Sequence, residues 1–462
     1  MTVTAYLGGA LPHSELIATP LSVARGPHGA LILSSWLIGT AALAWAWWAA
    51  RDGVPSMRWV VVTTILWLAP MLVVPPLGSR DVYSYACQGI SYGAGLNPYQ
   101  VGVSALPCPW LDSISVIWRD SPAPYGPLFV LLASAVVKLG GSLTTIIALF
   151  RLIAVAGVVL TGLCLPVLAR RCGIPAERAV WLALASPLVA LHFIAGAHSD
   201  ALMLGLIAAG LALIVTWPGR PGPLLLGGIL LAMAVAIKAI AIGVLPFAAL
   251  AAVAGPFRVR SLIRDGGWVA AGAIATFVGV TLWAGLGIGW IAGISGGGVL
   301  VWWTSPPTAV GMTTNYIAWL FGADIDAVGV TRTIGVILLA VTLVVLWFRA
   351  IPGEGRPAYA PLYGAALAMV ATVAFSPLVH PWYMTWPLVL LAATTLRTGW
   401  IVAVCAVSAF MVMPDGSGLV RYVKGPGAIL MTLYVIWWTV RYVRRTRAAG
   451  KAVEHPEAAV PG

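Results

Sequence analysis

Residues 59–85 read Trp-Val-Val-Val-Thr-Thr-Ile-Leu-Trp-Leu-Ala-Pro-Met-Leu-Val-Val-Pro-Pro-Leu and then, without a break, Gly78-Ser79-Arg80-Asp81-Val82-Tyr83-Ser84-Tyr85. The first part is almost bare of polar side chains, and the second carries an arginine, a carboxylate, serines and tyrosines. A helix needs about 20 apolar residues to cross a bilayer. The run at 59–77 therefore reads as a membrane span, and the block after it as the loop where the span leaves the lipid. Composition extends this to the whole chain. Of 462 residues, 60% are hydrophobic and only 9% charged, with mean hydropathy +0.96, whereas a soluble domain carries roughly 25% charged residues. The expected fold is all-α, a polytopic membrane protein.

Measured the same way, spans are expected at 29–50, 59–77, 144–168, 179–196, 199–217, 222–238, 239–255, 268–286, 329–348, 358–376, 382–396, 399–413 and 427–443. That makes about 13 transmembrane helices. The stretch 78–126 is too polar to span, and 127–139 is short enough to suit a re-entrant or interfacial helix. The run 308–321, interrupted by Thr313-Thr314-Asn315, is expected outside the membrane. Lys238 falls at the turn between two tightly spaced spans.

Net charge is +12, but no basic patch with interleaved aromatics appears, so nucleic acid is not an expected partner. Cytoplasmic loops carry an excess of Lys and Arg. Placing residues 51–58 in the cytoplasm puts Arg51, Arg58, Arg170, Arg171, Arg178, Arg258, Arg260, Arg264, Arg441, Arg444 and Arg445 there, and most of the 26 basic residues with them. The C-terminus then lies inside and the N-terminus outside. Five cysteines without CxxC or Cys/His spacing argue against structural zinc, and no basic segment followed by a cleavage site marks a signal peptide.

This alternation has a consequence for chemistry. Asp81, His198, Asp200, Lys238, His380, Asp415, Arg421 and Lys424 all fall at one extracytoplasmic membrane edge. Ionisable groups at membrane depth are costly and usually functional.

The motifs Ser79-Arg80-Asp81-Val82-Tyr83-Ser84-Tyr85, Gln88-Gly89, Gly95-Leu96-Asn97-Pro98-Tyr99, Pro124-Tyr125-Gly126-Pro127, Gly196-Ala197-His198-Ser199-Asp200 and Lys238 with Leu245-Pro246-Phe247 resemble a known pattern. It is that of the GT-C integral-membrane glycosyltransferases, and within them the actinobacterial polyprenol-phosphomannose-dependent α-1,6-mannopyranosyltransferases. His-Ser-Asp stands where that family's pattern would have His-Asn-Asp. The resemblance implies one GT-C-like transmembrane domain over 1–443, with 78–126 as its catalytic extracytoplasmic loop and 444–462 as a cytoplasmic basic tail. It implies a multi-pass protein of the plasma (inner) membrane. The donor would be a polyprenyl-phosphate mannose and the acceptor an α-1,6-mannan of a cell-envelope lipoglycan, with membrane lipids around both.

Chemistry then suggests roles. Phosphate leaves readily, so the acceptor hydroxyl is the group in need of help, and a base must receive its proton. Asp81 is the expected base; capping the helix at 82–94 is its alternative employment. Developing charge on phosphate calls for fixed cations: Lys238 foremost, then Arg421, Lys424 and His380. Against these stand snorkelling for Lys238, an ordinary loop for the Arg421–Lys424 pair and a buried structural role for His380. Tyr83, Tyr85, Asn97, Tyr99, Tyr125, His198, Asp200, Trp302, Trp303, Trp382 and Tyr383 are the expected acceptor or substrate contacts. Asp200 has helix capping as its alternative, and the tryptophans an interfacial aromatic belt. No cofactor or metal is expected; a divalent ion on His198 and Asp200 is the competing reading. Arg151 and Arg332, just inside span ends, fit helix pairing as well as function. Cys87 and Cys108, both in the external loop, are a disulfide candidate, with a core-facing free thiol as Cys87's alternative. Two other functions compete: transfer of an arabinofuranosyl or glucosyl group from a similar donor, and transport of a lipid or sugar. Transport would place paired charges near the bilayer midplane on broken helices, whereas here the charges gather at one edge.

Overall fold

The computed structural model describes residues 1–14, 20–291, 300–353 and 355–454. Among them the chain is helical throughout, as α, 3-10 and π turns, with one isolated bridge between Val412 and Gly418 and no strand. Every segment expected to cross the membrane is helical at its place. Among the described residues, five helices are long and apolar enough to cross by themselves: Gly29–Ala49, Leu143–Arg171, Val259–Ala284, Ala327–Ala350 and Leu419–Arg445. The pair Ala176–Leu184 and Val189–Ala195, bent by 64°, is long and apolar enough only when the two are taken together. The remaining expected crossings are shorter apolar helices such as Met57–Val73, Asp200–Thr216 and Pro221–Ile237, so the structure supports fewer full-length spans than thirteen. Local chemistry shortens them: Val74-Pro75-Pro76 leaves the helix after Val73, and Lys238 with extended backbone ends the helix Pro221–Ile237. Several long helices expose apolar side chains such as Leu152, Leu163, Ile337 and Leu338. Helices apolar all round belong in lipid or a large core, and the chain reads as a polytopic membrane protein.

Two compact units are present. The first holds Met1–Val299, Ala340–Val373 and His380–Leu419. Its centre is the packing of Asp200–Thr216 against Leu143–Arg171, made close by Gly157 and Gly205, where an added Cβ would collide with the facing backbone. The loop 78–126 folds here as the helix Asp81–Gly93, the 3-10 turns Val103–Ala105 and Leu111–Ser113 and the short helix Val116–Arg119. Cys87 and Cys108 are joined in a disulfide with their Cα atoms 5.7 Å apart.

The second unit holds Leu300–Leu339, Ala374–Val379 and Val420–Gly462. In it Thr313 Oγ1 and Thr432 Oγ1 lie 2.9 Å apart, linking helix Pro306–Leu320 to Lys424–Glu454. Thr304, Ser305 and Thr308 donate to the carbonyls of Val379, Ser376 and Pro377. Arg332 donates to Thr308 Oγ1 and to the Leu300 carbonyl, which gives this arginine structural work. Of the expected tail at 444–462, residues 455–462 lie outside the described residues.

Candidate active site

Gly78 adopts φ +71°, and its N–H donates to the Pro414 carbonyl at 2.9 Å, so the chain turns sharply out of the preceding span. Arg80 then fastens the turn. Its buried guanidinium donates to the carbonyls of Asp415 (2.8 Å), Leu11 (3.3 Å) and Ser113 (3.3 Å) and to Ser14 Oγ (2.7 Å). Asp415 is occupied locally, accepting from the backbone N–H and hydroxyl of Ser417. Helix Asp81–Gly93 begins on this platform with Arg80 as its N-cap residue, and Ser79 Oγ accepts the Asp81 N–H at 3.1 Å. Asp81 is therefore the first helical residue rather than the cap. Its carboxylate is free to point away, near the positive end of the helix dipole.

Three other segments reach the same place. The first is a π-turn at Val189–Ala195, followed by Gly196, Ala197 at φ +53° and His198. Buried Arg151 holds it by donating to the carbonyls of Ile194 (3.1 Å) and Ala195 (2.9 Å) and also to that of Leu72 (2.8 Å). His198 Nδ1 lies 3.6 Å from Asp81 Oδ2 and 3.9 Å from Asp200 Oδ2. The second is the break at Lys238, whose ammonium donates to Asp200 Oδ1 and Oδ2 at 2.9 and 3.0 Å. The third is 380–386: Trp386 Nε1 donates to Asp200 Oδ1 at 2.6 Å, and the Tyr383 and Trp386 rings stand 5.0 and 5.2 Å from the Lys238 ammonium. Such ring faces attract a cation. His380 stacks on Trp382 with ring centroids 4.4 Å apart, and His198 packs on the same indole at 4.3 Å.

The charges sort the three carboxylates. Asp200 is fully buried and neutralised; Asp415 is 8% exposed and tied to its own loop. Asp81 keeps 25% of its side chain exposed. Burial raises its carboxyl to about 6, helped by the Asp200 charge and opposed by Lys238 and by the Ser79 and Tyr85 side chains. His198 and His380 are held below the ordinary histidine range, first by burial and then by neighbouring basic groups, His380 to about 3. The rings therefore stay neutral at physiological pH. His192, His198, Ser199 and Trp382 also bury polar atoms with no hydrogen-bond partner among the described residues. Such groups normally find partners. No three His, Cys, Asp or Glu side chains among the described residues are grouped to hold a metal ion.

Of the expected site residues, the structure brings together Asp81, Tyr85, Tyr125, His198, Asp200, Lys238, His380, Trp382 and Tyr383. Asp200 does not cap its helix, whose N-cap is Ser199, and Lys238 does not snorkel, because its charge is paired inside. Tyr83, Asn97 and Tyr99 have other employment. The Tyr83 hydroxyl donates to the Ala10 carbonyl, Asn97 Oδ1 accepts the Tyr99 N–H, and the Tyr99 hydroxyl donates to the Tyr125 carbonyl. Trp302, Trp303, Arg421 and Lys424 belong to the second unit, where Trp303 donates to the Val420 carbonyl and Arg421 lies over the Tyr422 ring. Two cluster members escape a motif reading. Trp386 lies one helical turn after Trp382, a spacing that was visible. His192 stands alone in an apolar run, a signal of buried chemistry in itself.

A family model described as alpha-(1->6)-mannopyranosyltransferase, N-terminal domain, matches residues 1–254, and one described as MptB C-terminal domain matches 307–441. The chain is 34% identical over 429 residues to alpha-(1->6)-mannopyranosyltransferase A of Mycobacterium tuberculosis, covering 89% of this chain and 81% of that protein. It is 29% identical over 446 residues to alpha-(1->6)-mannopyranosyltransferase B of Corynebacterium glutamicum, covering 87% and 73%. No solved structure matches it.

Proposed function

This chain belongs to the alpha-(1->6)-mannopyranosyltransferase family, and we propose that it transfers mannose from a polyprenyl-phosphate mannose to an α-1,6-mannan acceptor of a cell-envelope lipoglycan. Asp81 is the general base. The acceptor hydroxyl oxygen attacks the anomeric carbon, the bond from that carbon to the phosphate oxygen breaks, and the phosphate leaves with the electron pair. The hydroxyl proton passes to Asp81. A β-linked donor then yields an α-linkage by one inverting displacement, without a covalent enzyme intermediate. The single observation that carries this reading is the division of labour among the cluster's carboxylates. Asp200 is consumed by Lys238 and Trp386 and Asp415 is tied through Oδ1 to Ser417 of its own loop, while Asp81 is partly open and tuned to about 6, near enough to neutrality for a base.

Lys238 is the donor-phosphate cation. Two of its three N–H groups are spent on Asp200, which leaves one to meet an oxyanion and fixes where it points. The tryptophans and Tyr383 offer flat apolar faces for sugar or prenyl chain. The site lies at the extracytoplasmic edge of the plasma membrane, where a lipid-borne donor can reach it, with the C-terminus in the cytoplasm. Membranes containing the protein, given labelled polyprenyl-phosphate sugars and short α-1,6-mannosides, are expected to extend the mannoside from the mannose donor. Extension from an arabinofuranosyl or glucosyl donor alone would overturn the choice of sugar. Asp81→Asn is expected to insert normally and abolish transfer.

A further inference from the structure

Several features near Asp81 serve to place one side chain that the transfer reading leaves without a task. The π-turn at Val189–Ala195 and the positive φ of Ala197 are both unusual backbone, and π-turns and strained residues cluster at functional positions. Buried Arg151 holds the carbonyls just before the strained residue, and the His198 N–H donates back to the His192 carbonyl at 3.2 Å. The result is an imidazole with no exposed surface and, among the described residues, no hydrogen bond to either ring nitrogen. Two acceptors lie near its Nδ1. Asp200 already accepts from Lys238 on both oxygens and from Trp386 on one. Asp81 Oδ2, at 3.6 Å, is the nearer of the two, and among the described residues no Lys or Arg forms an ion pair with its carboxylate.

We propose that His198 is the positioning residue of Asp81: its Nδ1–H turns to the Asp81 carboxylate, fixes the oxygen that faces the acceptor and favours the ionised base. The gap of 3.6 Å is longer than a formed hydrogen bond. Catalytic contacts are often long before substrate binds and close afterwards. His198 keeps its proton throughout; the acceptor's proton goes to Asp81. Groups facing His198 are His192, His380, Lys238, Asp81 and Asp200 around the Trp382 ring. Those facing Asp81 are Lys238, Asp200, Ser79, Tyr85, Tyr125 and Tyr383. None of these others offers Asp81 a neutral ring N–H.

The inference rests on Asp81 as base, so its test needs one readout independent of turnover. In the full-length protein in lipid nanodiscs, the infrared band of the protonated Asp81 carboxyl, isolated by subtracting Asp81→Asn, is followed against pH. His198→Leu and His198→Asn have similar size, but only the asparagine carries a donor where Nδ1 was. His198→Leu is expected to raise the Asp81 midpoint by about one pH unit, a tenfold change in proton affinity, and His198→Asn to leave it near wild type. With polyprenyl-phosphate mannose and a short α-1,6-mannoside, His198→Leu is expected to lose kcat at least tenfold with acceptor KM unchanged, and His198→Asn to restore most of it. A wild-type midpoint in His198→Leu, or equal shifts in both variants, overturns the proposal. If Asp81→Asn keeps its turnover, the base reading fails instead, and the infrared midpoints alone decide the coupling. If His198→Leu does not yield folded protein, His198→Met is held to the same criteria.

Discussion

Removing one half of the Lys238–Asp200 pair should cost far more than removing both. The ammonium sits 2.9 and 3.0 Å from the two carboxylate oxygens, with side-chain exposures of 15% and 0%. At 2.9 Å and an effective dielectric near 20, the attraction is about 6 kcal/mol. Desolvating both ions offsets much of it, so the pair's net contribution is small. Asp200→Ala keeps the desolvation of Lys238 and discards its compensation, which costs about 3–5 kcal/mol. It also strands the Trp386 indole N–H, now bonded to Asp200 at 2.6 Å. The thermal midpoint of the detergent-solubilised protein, followed by tryptophan fluorescence, should fall by about 5 °C or more. In Asp200→Leu combined with Lys238→Met most of that loss should disappear, because neither charge of the pair remains. The double variant should nevertheless bind a donor analogue poorly, since the phosphate cation is gone. A single variant as stable as wild type, or a double variant less stable than either single, would refute the reasoning.

The pH dependence follows from Asp81. Its carboxyl, raised to about 6, must be ionised to accept a proton, so kcat/KM should climb through that pH, with about a tenth of full activity one unit below it; a profile flat from pH 5 to 8 would exclude it as base. Lys238→Ala should weaken a donor-analogue titration far more than acceptor binding, and equal losses would remove the phosphate role. Reduction of Cys87–Cys108, or Cys108→Ser, should lower the thermal midpoint, since closing a loop of about 20 residues is worth on the order of 3 kcal/mol. Alkylation of unreduced protein should label neither cysteine. Arg80→Lys should lower turnover without touching any substrate contact, because an ammonium cannot reach all four acceptors of the guanidinium; unchanged kcat would show that the platform beneath Asp81 does not need it.

Much of this cluster was legible because lipid makes charge exceptional. Expected alternation of spans assigns Asp81, His198, Lys238 and His380 to one side, and the structure brings these side chains together. Parity does not show who pairs with whom. Lys238 and Asp200 are 38 positions apart, and nothing in either neighbourhood announces that the carboxylate exists to hold the lysine. Span lengths were harder for a similar reason: hydropathy reports which residues tolerate lipid, while prolines, glycines and Lys238 decide where a helix stops. The tyrosines of the opening motif show how far periodicity can go. Helix Asp81–Gly93 puts position 85 one turn above position 81 on the same face and turns position 83 away. Tyr85 accordingly faces the base, while Tyr83 reaches back to the Ala10 carbonyl and anchors the N-terminal segment. A motif read as a string makes the two tyrosines equal. Read as a helix, it gives one to the chemistry and the other to the scaffold.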